Sequence, residues 1–341
     1  MKYVPVMRYR REERAALRSI SLSNKIMPLI EIMKERANQK HTGGFESYIE
    51  DFSIFKTPFM VDFPLYFHIT NSTTDNIKTF LRDLKVNSSK KIGYFGMLSS
   101  NKYLIPVISY DTENPYPLNM YINEFNLLSK LYPRIAFRIF ESNDRSIILN
   151  EIKGIIRSQD ILLYDIDDFT YTQDIIQAQI KLINQIKYST NCTIVMIRSA
   201  ISPSIVFNRL TDNQPVTKAD NSLLKAYKNY GFDAFGDFAG VRKDATITDG
   251  GPSEASPGFL FYSWHSNSYI GYKGRKSEWS EFTQHIQPTL TKSTYWNSFS
   301  TLHQKNCPGC ANILSNPTNG AANWKRYAIQ HYLVTMEEFL T

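Results

Sequence analysis

A (β/α)8 barrel is the fold this sequence predicts, and three observations carry the prediction. Apolar runs of about four to six residues recur along most of the chain, each ending in a charged or small polar residue and followed by a stretch with helical spacing. Their alternation, at intervals of roughly 20–45 residues, implies parallel strands joined by right-handed crossovers. Eight such alternations fit before about residue 240, which suggests closure into a barrel, with an open doubly wound sheet as the alternative.

The elements follow in order. Tyr3–Tyr9, YVPVMRY, reads as the first strand, with Pro5 near its start, where a missing N–H is tolerated. Arg10–Leu22 is a helix with Ala15, Ala16 and Ile20 among its apolar positions. Ile26–Ile32, IMPLIEI, is the second strand, and Phe45–Phe55 is a short helix after the Gly43-Gly44 break. Pro58–Leu65, PFMVDFPL, is the third strand. Ser72 and Thr73 are candidate caps for a helix running to about Val86. Residues 87–102 are polar and contain glycine, which predicts a loop or small insertion.

Tyr103–Tyr110, YLIPVISY, is the fourth strand, followed by Asp111 and a helix over Leu118–Leu131 bounded by Pro117 and Pro133. Arg134–Glu141 is the fifth. Asn143 is placed to cap the next helix, Asp144–Arg157, whose Ile147, Ile148, Ile152 and Ile155 form an apolar stripe. Asp160–Phe169, DILLYDIDDF, is the sixth strand, an apolar run tipped by three carboxylates; the isoleucine-striped Thr172–Tyr188 follows it as a helix. Cys192–Ser199, a helix over Lys218–Tyr230 and the strand Phe232–Phe238, FGDF at its end, complete the count. The second, fourth and sixth runs are nearly all apolar, as expected of strands buried on both faces. Residues 1–258 thus form the barrel. Residues 259–341 form an extension packed on it, with a hairpin at Phe259–Tyr272 turning near His265–Ser268, a CxxC segment and a terminal amphipathic helix at about Asn323–Leu340.

Strand C-termini build the working face of such a barrel. Here they carry Arg8, Glu31, Asp62, Asp111, Arg138, Glu141, Asp165 with Asp167 and Asp168, Arg198, Ser199 and Asp237, which predicts acidic and basic groups alternating around one mouth. Glu31, Asp62, Asp165 and Asp237 are the candidate catalytic carboxylates, as general acid and base or as ligands to a divalent ion such as Mg²⁺ or Mn²⁺. Arg8, Arg138 and Arg198 would grip a phosphate or carboxylate. The loops after the last two strands, RSAISPS and GDFAGVRK, add Ser199, Arg242 and Lys243 to that ligand-binding set. The competing reading is an internal ion-pair network that closes the barrel end. No Walker-type or GxGxxG loop and no GxSxG elbow occurs, so nucleotide-loop and serine-hydrolase motifs are excluded.

His303-x3-Cys307-Pro-Gly-Cys310, with His331 further on, has the composition of a Cys2His2 structural zinc site. Against it stands the single CxxC and the ordinary roles open to both histidines. Three cysteines among 341 residues argue for a reducing compartment. The N-terminus has no apolar signal region, and no long apolar run is present, so the expected location is cytoplasmic, with no membrane partner. A net charge of +7 allows a phosphate-bearing partner without requiring one.

The order of several short motifs resembles the Beta protein family of phages and bacterial mobile elements. They are YVPVMRYRREERAAL and IMPLIEI at the start, FGDFAG near the eighth strand, and NWKRYAIQHYL at the end. Where the family tends to show His-His, this chain has His331-Tyr332. The resemblance implies an intracellular barrel protein engaged in phage–host conflict. It marks Arg8, Arg10, Glu12, Glu31, Asp237, Trp324, Lys325 and His331 as positions of interest. Two functions are therefore expected: binding or hydrolysis of a nucleotide or nucleic acid at the barrel mouth, or non-catalytic binding of a phage or host protein with the charged ring purely structural.

Overall fold

The computed structural model describes residues 1–35, 44–71, 73–110, 112, 119–141, 145–243 and 256–340. Among them, eight parallel strands close into a barrel. β1 (Tyr3–Arg8), β2 (Leu29–Glu31), β3 (Phe59–Asp62), β4 (Leu104–Ile108), β5 (Ala136–Phe140), β6 (Ile161–Asp165) and β7 (Thr193–Ile197) pair in chain order. A two-residue strand, β8 (Gln214–Pro215), lies outside the barrel; β9 (Ala234–Asp237) completes the ring by pairing with β7 and β1. Closure leaves no edge strand exposed, and the short strands are buried along nearly their whole length.

The outer layer contains α1 (Arg11–Arg18), α2 (Glu46–Phe52), α3 (Asp75–Val86), α4 (Ser88–Leu98), α5 (Asn119–Leu128), α6 (Arg145–Ile155), α7 (Asp174–Thr190) and α8 (Leu223–Ala226). Three sequence expectations need correction. The polar stretch 87–102 is mostly the helix α4: Asn87 caps it by accepting from the Ser89 N–H, and Lys91, Tyr94, Phe95 and Leu98 form its buried face. Gly93 and Gly96 disguised that spacing. Conversely, the helix expected over Lys218–Tyr230 is only α8 plus a 3₁₀ turn, Tyr227–Tyr230. Asp220 occupies itself with Arg198 and the Ser222 N–H, and so delays the helix start. Thr73 is not a cap: Thr74 stands at that position, without a side-chain capping bond. The candidates Ser72, Asp111 and Asn143 lie outside the described residues.

Strand alternation sorts side chains into two shells. Val4, Val6, Leu29, Met60, Val107, Ala136, Leu163, Val195, Ile197 and Ala234 fill the barrel interior. Tyr3, Met7, Ile30, Val61, Phe137, Ile139, Tyr164, Ile194, Met196 and Phe235 meet the helices. By the same period, Arg8, Glu31, Asp62, Arg138 and Asp165 belong to the interior shell, whereas Asp237 and Arg198 belong to the outer one.

After β9 the chain builds β10 (Gly258–Ser263) and β11 (Ser268–Lys273), an antiparallel hairpin to which β8 adds a third strand. A π-helical turn (Phe282–Ile286) leads into α9 (Gln287–Thr291), α10 (Thr294–Asn297), α11 (Thr301–Asn306) and α12 (Pro308–Ser315). These elements share an apolar cluster around Phe259, Phe261, Trp296, Ile313 and Trp324. The last helix, α13 (Ala321–Phe339), lies along α1, where Lys325 bonds Glu13 at 2.7 Å and Gln330 bonds Ser19 at 2.6 Å. Its Ile329, Tyr332, Leu333 and Met336 join the barrel's outer cluster, while Trp324, Tyr327 and Ala328 join the extension's. Placed against α1 and the rim residues of β1 and β9, α13 takes the position of the barrel's eighth helix. The hairpin and α9–α12 are thereby an insertion between the eighth strand and its helix.

Candidate functional site

The top interior layer of the barrel centres on Arg138 of β5. Its Nη1 donates to Glu31 Oε1 at 2.7 Å and to Asp62 Oδ2 at 2.9 Å, and its Nη2 donates to Asp165 Oδ2 at 2.6 Å. The side chains of all four residues are completely inaccessible to solvent. Arg8 adds a second cation, 3.4 Å from Glu31, with its guanidinium over the Phe67 ring. Tyr66 donates to Glu31 at 2.5 Å and Ser109 donates to Asp62 at 2.6 Å. Tyr66 and Phe140 also stack on the Arg138 guanidinium.

Burial and charge pull in opposite directions here. Burial would depress Arg138, but Tyr66, Asp165, Glu31 and Asp62 outweigh it and hold the guanidinium well above its ordinary value. Burial would raise Glu31, yet Arg138, Arg8 and the Tyr66 hydroxyl bring it below the usual range. Asp62 goes the other way: burial exceeds the attraction of the one arginine it shares and raises it. A buried cluster of this kind needs every partner, because one unpaired charge in the interior is strongly destabilising.

One candidate catalytic carboxylate, Asp237, and one candidate ligand-binding residue, Arg198, part company with the ring. Asp237 points outward, where it accepts from Tyr3 Oη at 2.5 Å, from Tyr332 Oη and from the Ala239 N–H at 2.9 Å. Burial pushes it up to about 6, although those three hydrogen bonds act to lower it. The FGDFAG motif is explained by this packing. A Cβ on Gly236 would stand 2.7 Å from the Val4 carbonyl oxygen, and one on Gly240, at φ +73°, would stand 2.6 Å from the Tyr332 Cβ. Arg198 also faces outward, bonding the Phe169 carbonyl at 2.8 Å and Asp220 at 2.9 Å, while Ser199 Oγ donates to the Ile201 carbonyl. Glu141 is taken by Tyr164 and Arg145. The single mixed mouth expected from the sequence is thus split by strand alternation into an inner ring and an outer girdle.

Above the rim between β1 and β9 lies a narrow cleft, open to solvent, lined by Arg8, Arg242, Lys243 and Lys325 with one carboxylate, Glu13. Arg242 is steadied by the Ile205 carbonyl at 2.8 Å, Lys243 by Asp167 at 2.7 Å and Lys325 by Glu13. An apolar pocket adjoins it, sharing Val241, Arg242 and Lys325 and walled by Phe207, Phe259, Trp279, Phe282 and Trp324. Of the predicted ligand-binding residues, Arg8, Arg242 and Lys243 meet here; Arg138, Arg198 and Ser199 do not.

The second convergence is between the insertion and α13. One potential ligand atom each from His303, Cys307, Cys310 and His331 lies within 4.8 Å of all the others, and all four residues are buried. Among the described residues no other such group was found. Sequence reasoning missed Tyr66, Ser109, Tyr332 and Glu338, which hold the charged groups in place. Only Tyr332 had a signal, its place beside His331 in the terminal motif.

Fold and sites together define a (β/α)8-barrel protein with an inserted subdomain joined to the barrel's last helix through a Cys/His cluster. A family model described as Beta protein matches residues 3–337, nearly the whole chain, and the chain belongs to that family. No curated protein matches it. Among the described residues, no helix is long and apolar enough to cross a membrane.

Proposed function

We propose that this protein binds a nucleotide or another phosphate-bearing ligand at the rim cleft, and that the inner acidic ring is structural. The observation that carries this reading is the convergence of Arg242, Lys243 and Lys325 on one solvent-open cleft, beside Arg8, which is paired with Glu31. A phosphate would take Arg242, Lys243 and Lys325, whose carbonyl and carboxylate tethers pre-orient them. An aromatic base would sit in the adjoining pocket, against its tryptophan and phenylalanine rings. The ring carboxylates offer little to a divalent ion, because Arg138 already takes one oxygen from each of Glu31, Asp62 and Asp165. The reading is accordingly one of binding, without a hydrolytic step. Its proposed setting is phage–host conflict, which family membership alone supports; a change in phage plating efficiency on cells expressing the protein would test that part.

Thermal melting with a panel of nucleotides, single-stranded oligonucleotides and inorganic phosphate tests the binding itself. A ligand that binds only the folded state raises the melting temperature. The upward shift is expected for at least one nucleotide and is expected to vanish in Arg242→Ala/Lys243→Ala. A flat response to every anion would contradict the proposal, as would a shift that survives the double substitution.

A further inference from the structure

We propose that His303, Cys307, Cys310 and His331 bind one zinc ion in a closed site, and that this ion fixes the register in which α13 lays Tyr332 against Asp237. The argument starts from the two imidazoles. His331 Nε2 is 2.8 Å from the Tyr262 carbonyl oxygen, an acceptor only, so this nitrogen carries the proton. A neutral ring then presents a bare lone pair at Nδ1. His303 is arranged the other way round. Its Nδ1 meets the Glu338 carboxylate at 2.5 Å, which leaves the lone pair at Nε2. These two lone-pair nitrogens face each other at 3.4 Å, and Cys310 Sγ is 3.3 Å from His331 Nδ1. Facing acceptors repel one another unless a metal ion or a proton lies between them.

Two of the six ligand–ligand separations already have tetrahedral dimensions, and the whole set lies within 4.8 Å, so a small contraction would close the site. With zinc bonds of about 2.0–2.1 Å to nitrogen and about 2.3 Å to sulfur, tetrahedral edges are roughly 3.3–3.8 Å. The separations of 3.4 Å between the two imidazole nitrogens and 3.3 Å from Cys310 Sγ to His331 fall at the short end of that range. Local backbone supports the same assignment. Cys307 caps α12 and accepts the Cys310 N–H at 3.4 Å, and Pro308 at the first helical position fixes the turn between the two sulfurs. Each imidazole is oriented by an acceptor on its far nitrogen, the usual outer shell of a metal-bound histidine. Phe261 stacks on His331 with ring centres 4.3 Å apart, locking its rotamer. Two nitrogens and two sulfurs in a buried pocket suit zinc, and four protein ligands leave no position for substrate. The two thiols must lose their protons as the ion binds.

The site also joins separate parts of the chain. His303 comes from α11, Cys307 and Cys310 from the start of α12, and His331 from the middle of α13. The next residue on α13 is Tyr332, which bonds Asp237 at the end of the eighth barrel strand and meets the Tyr3 and Tyr262 rings. The ion would thus tie the insertion to the barrel's eighth helix and hold that helix against the rim.

Metal analysis of the full chain purified without chelator is expected to give one zinc per chain, and Cys307→Ser/Cys310→Ser is expected to give none. Should that variant fail to fold, cobalt(II) replaces it as the test on the unaltered protein: exchange should produce the visible bands of tetrahedral cobalt with thiolate charge transfer. Glu338→Ala should keep the stoichiometry at saturating zinc but weaken affinity roughly 10–100-fold. Removing the ion should speed amide hydrogen exchange in α13 around Tyr332 more than in β5 and β6. The metal site is refuted by zinc-free, cobalt-silent protein, or by a Cys307–Cys310 disulfide in protein kept under reducing conditions. Unchanged exchange in α13 after zinc removal would refute the positioning role.

Discussion

The barrel mouth and the Cys/His cluster are both buried, polar and built from four or more converging side chains, yet they resolve their electrostatics in different ways. In the mouth the cation belongs to the protein: Arg138 takes up Glu31, Asp62 and Asp165 within 2.9 Å. In the Cys/His cluster the two imidazoles are oriented from outside, by Glu338 and the Tyr262 carbonyl, so that their inner nitrogens meet. Carboxylates at strand ends are therefore a poor guide to a metal centre when an arginine of the same shell can reach them. A smaller set of donors with outward-facing hydrogen-bond partners is the better guide. At the rim structure and binding overlap in Arg8, which pairs with Glu31; Arg242, Lys243 and Lys325 of the cleft are held instead by the Ile205 carbonyl, Asp167 and Glu13.

The largest expected effect comes from breaking the mouth. Arg138→Met strands three carboxylates in the interior and should cost about 3–5 kcal/mol in denaturant unfolding, enough to prevent folding in a marginal background. Adding Glu31→Gln, Asp62→Asn and Asp165→Asn should recover much of that loss, because the stranded charges are gone. An Arg138→Met protein of unchanged stability would end the description of the ring as a plug.

A medium effect is expected at the outer girdle. Burial raises Asp237 from 3.8 to about 6, so the folded protein holds this proton more tightly than the unfolded chain does. That contribution is complete below about pH 4 and is lost as pH rises through about 6; at full size it is on the order of 3 kcal/mol. Asp237→Asn lacks it. The stability of the asparagine variant relative to the unaltered protein should therefore improve as pH rises from about 4 to about 8. Parallel pH profiles for the two proteins would show that Asp237 titrates normally and that the three hydrogen bonds fully offset its burial. The smallest effect is expected at the cleft, where Arg242→Ala/Lys243→Ala should change stability by no more than about 1 kcal/mol while removing the response to anions. A much larger loss would move the cleft to the structural side of the comparison.

The barrel was legible because its signal is periodic: apolar runs such as ILLYD and TIVMI, each followed by helical spacing, admit few topologies. The inner ring was half legible. Glu31, Asp62, Arg138 and Asp165 were found as strand-end charges, and the ion-pair alternative was recognised from the cost of burying them. Asp237 and Arg198 were grouped with them although strand alternation already placed these two with outward-facing Phe235, Ile194 and Met196. What the sequence could not supply was the phase of each strand relative to the barrel axis, which only closure fixes. The role of α13 as the eighth helix was hidden for a related reason: an insertion of unrelated elements separates it from its strand. The Cys/His set was visible as spacing, but its outer partners, Glu338 and the Tyr262 carbonyl, come from distant positions and have no local signature.

Native mass spectrometry of the full chain, run on three proteins side by side, tests the central contrast most directly. The unaltered protein and Asp62→Asn/Asp165→Asn should each carry the added mass of one zinc ion, and Cys307→Ser/Cys310→Ser should carry none. Metal that follows the carboxylates, lost with Asp62 and Asp165 and retained without the cysteines, would contradict the account.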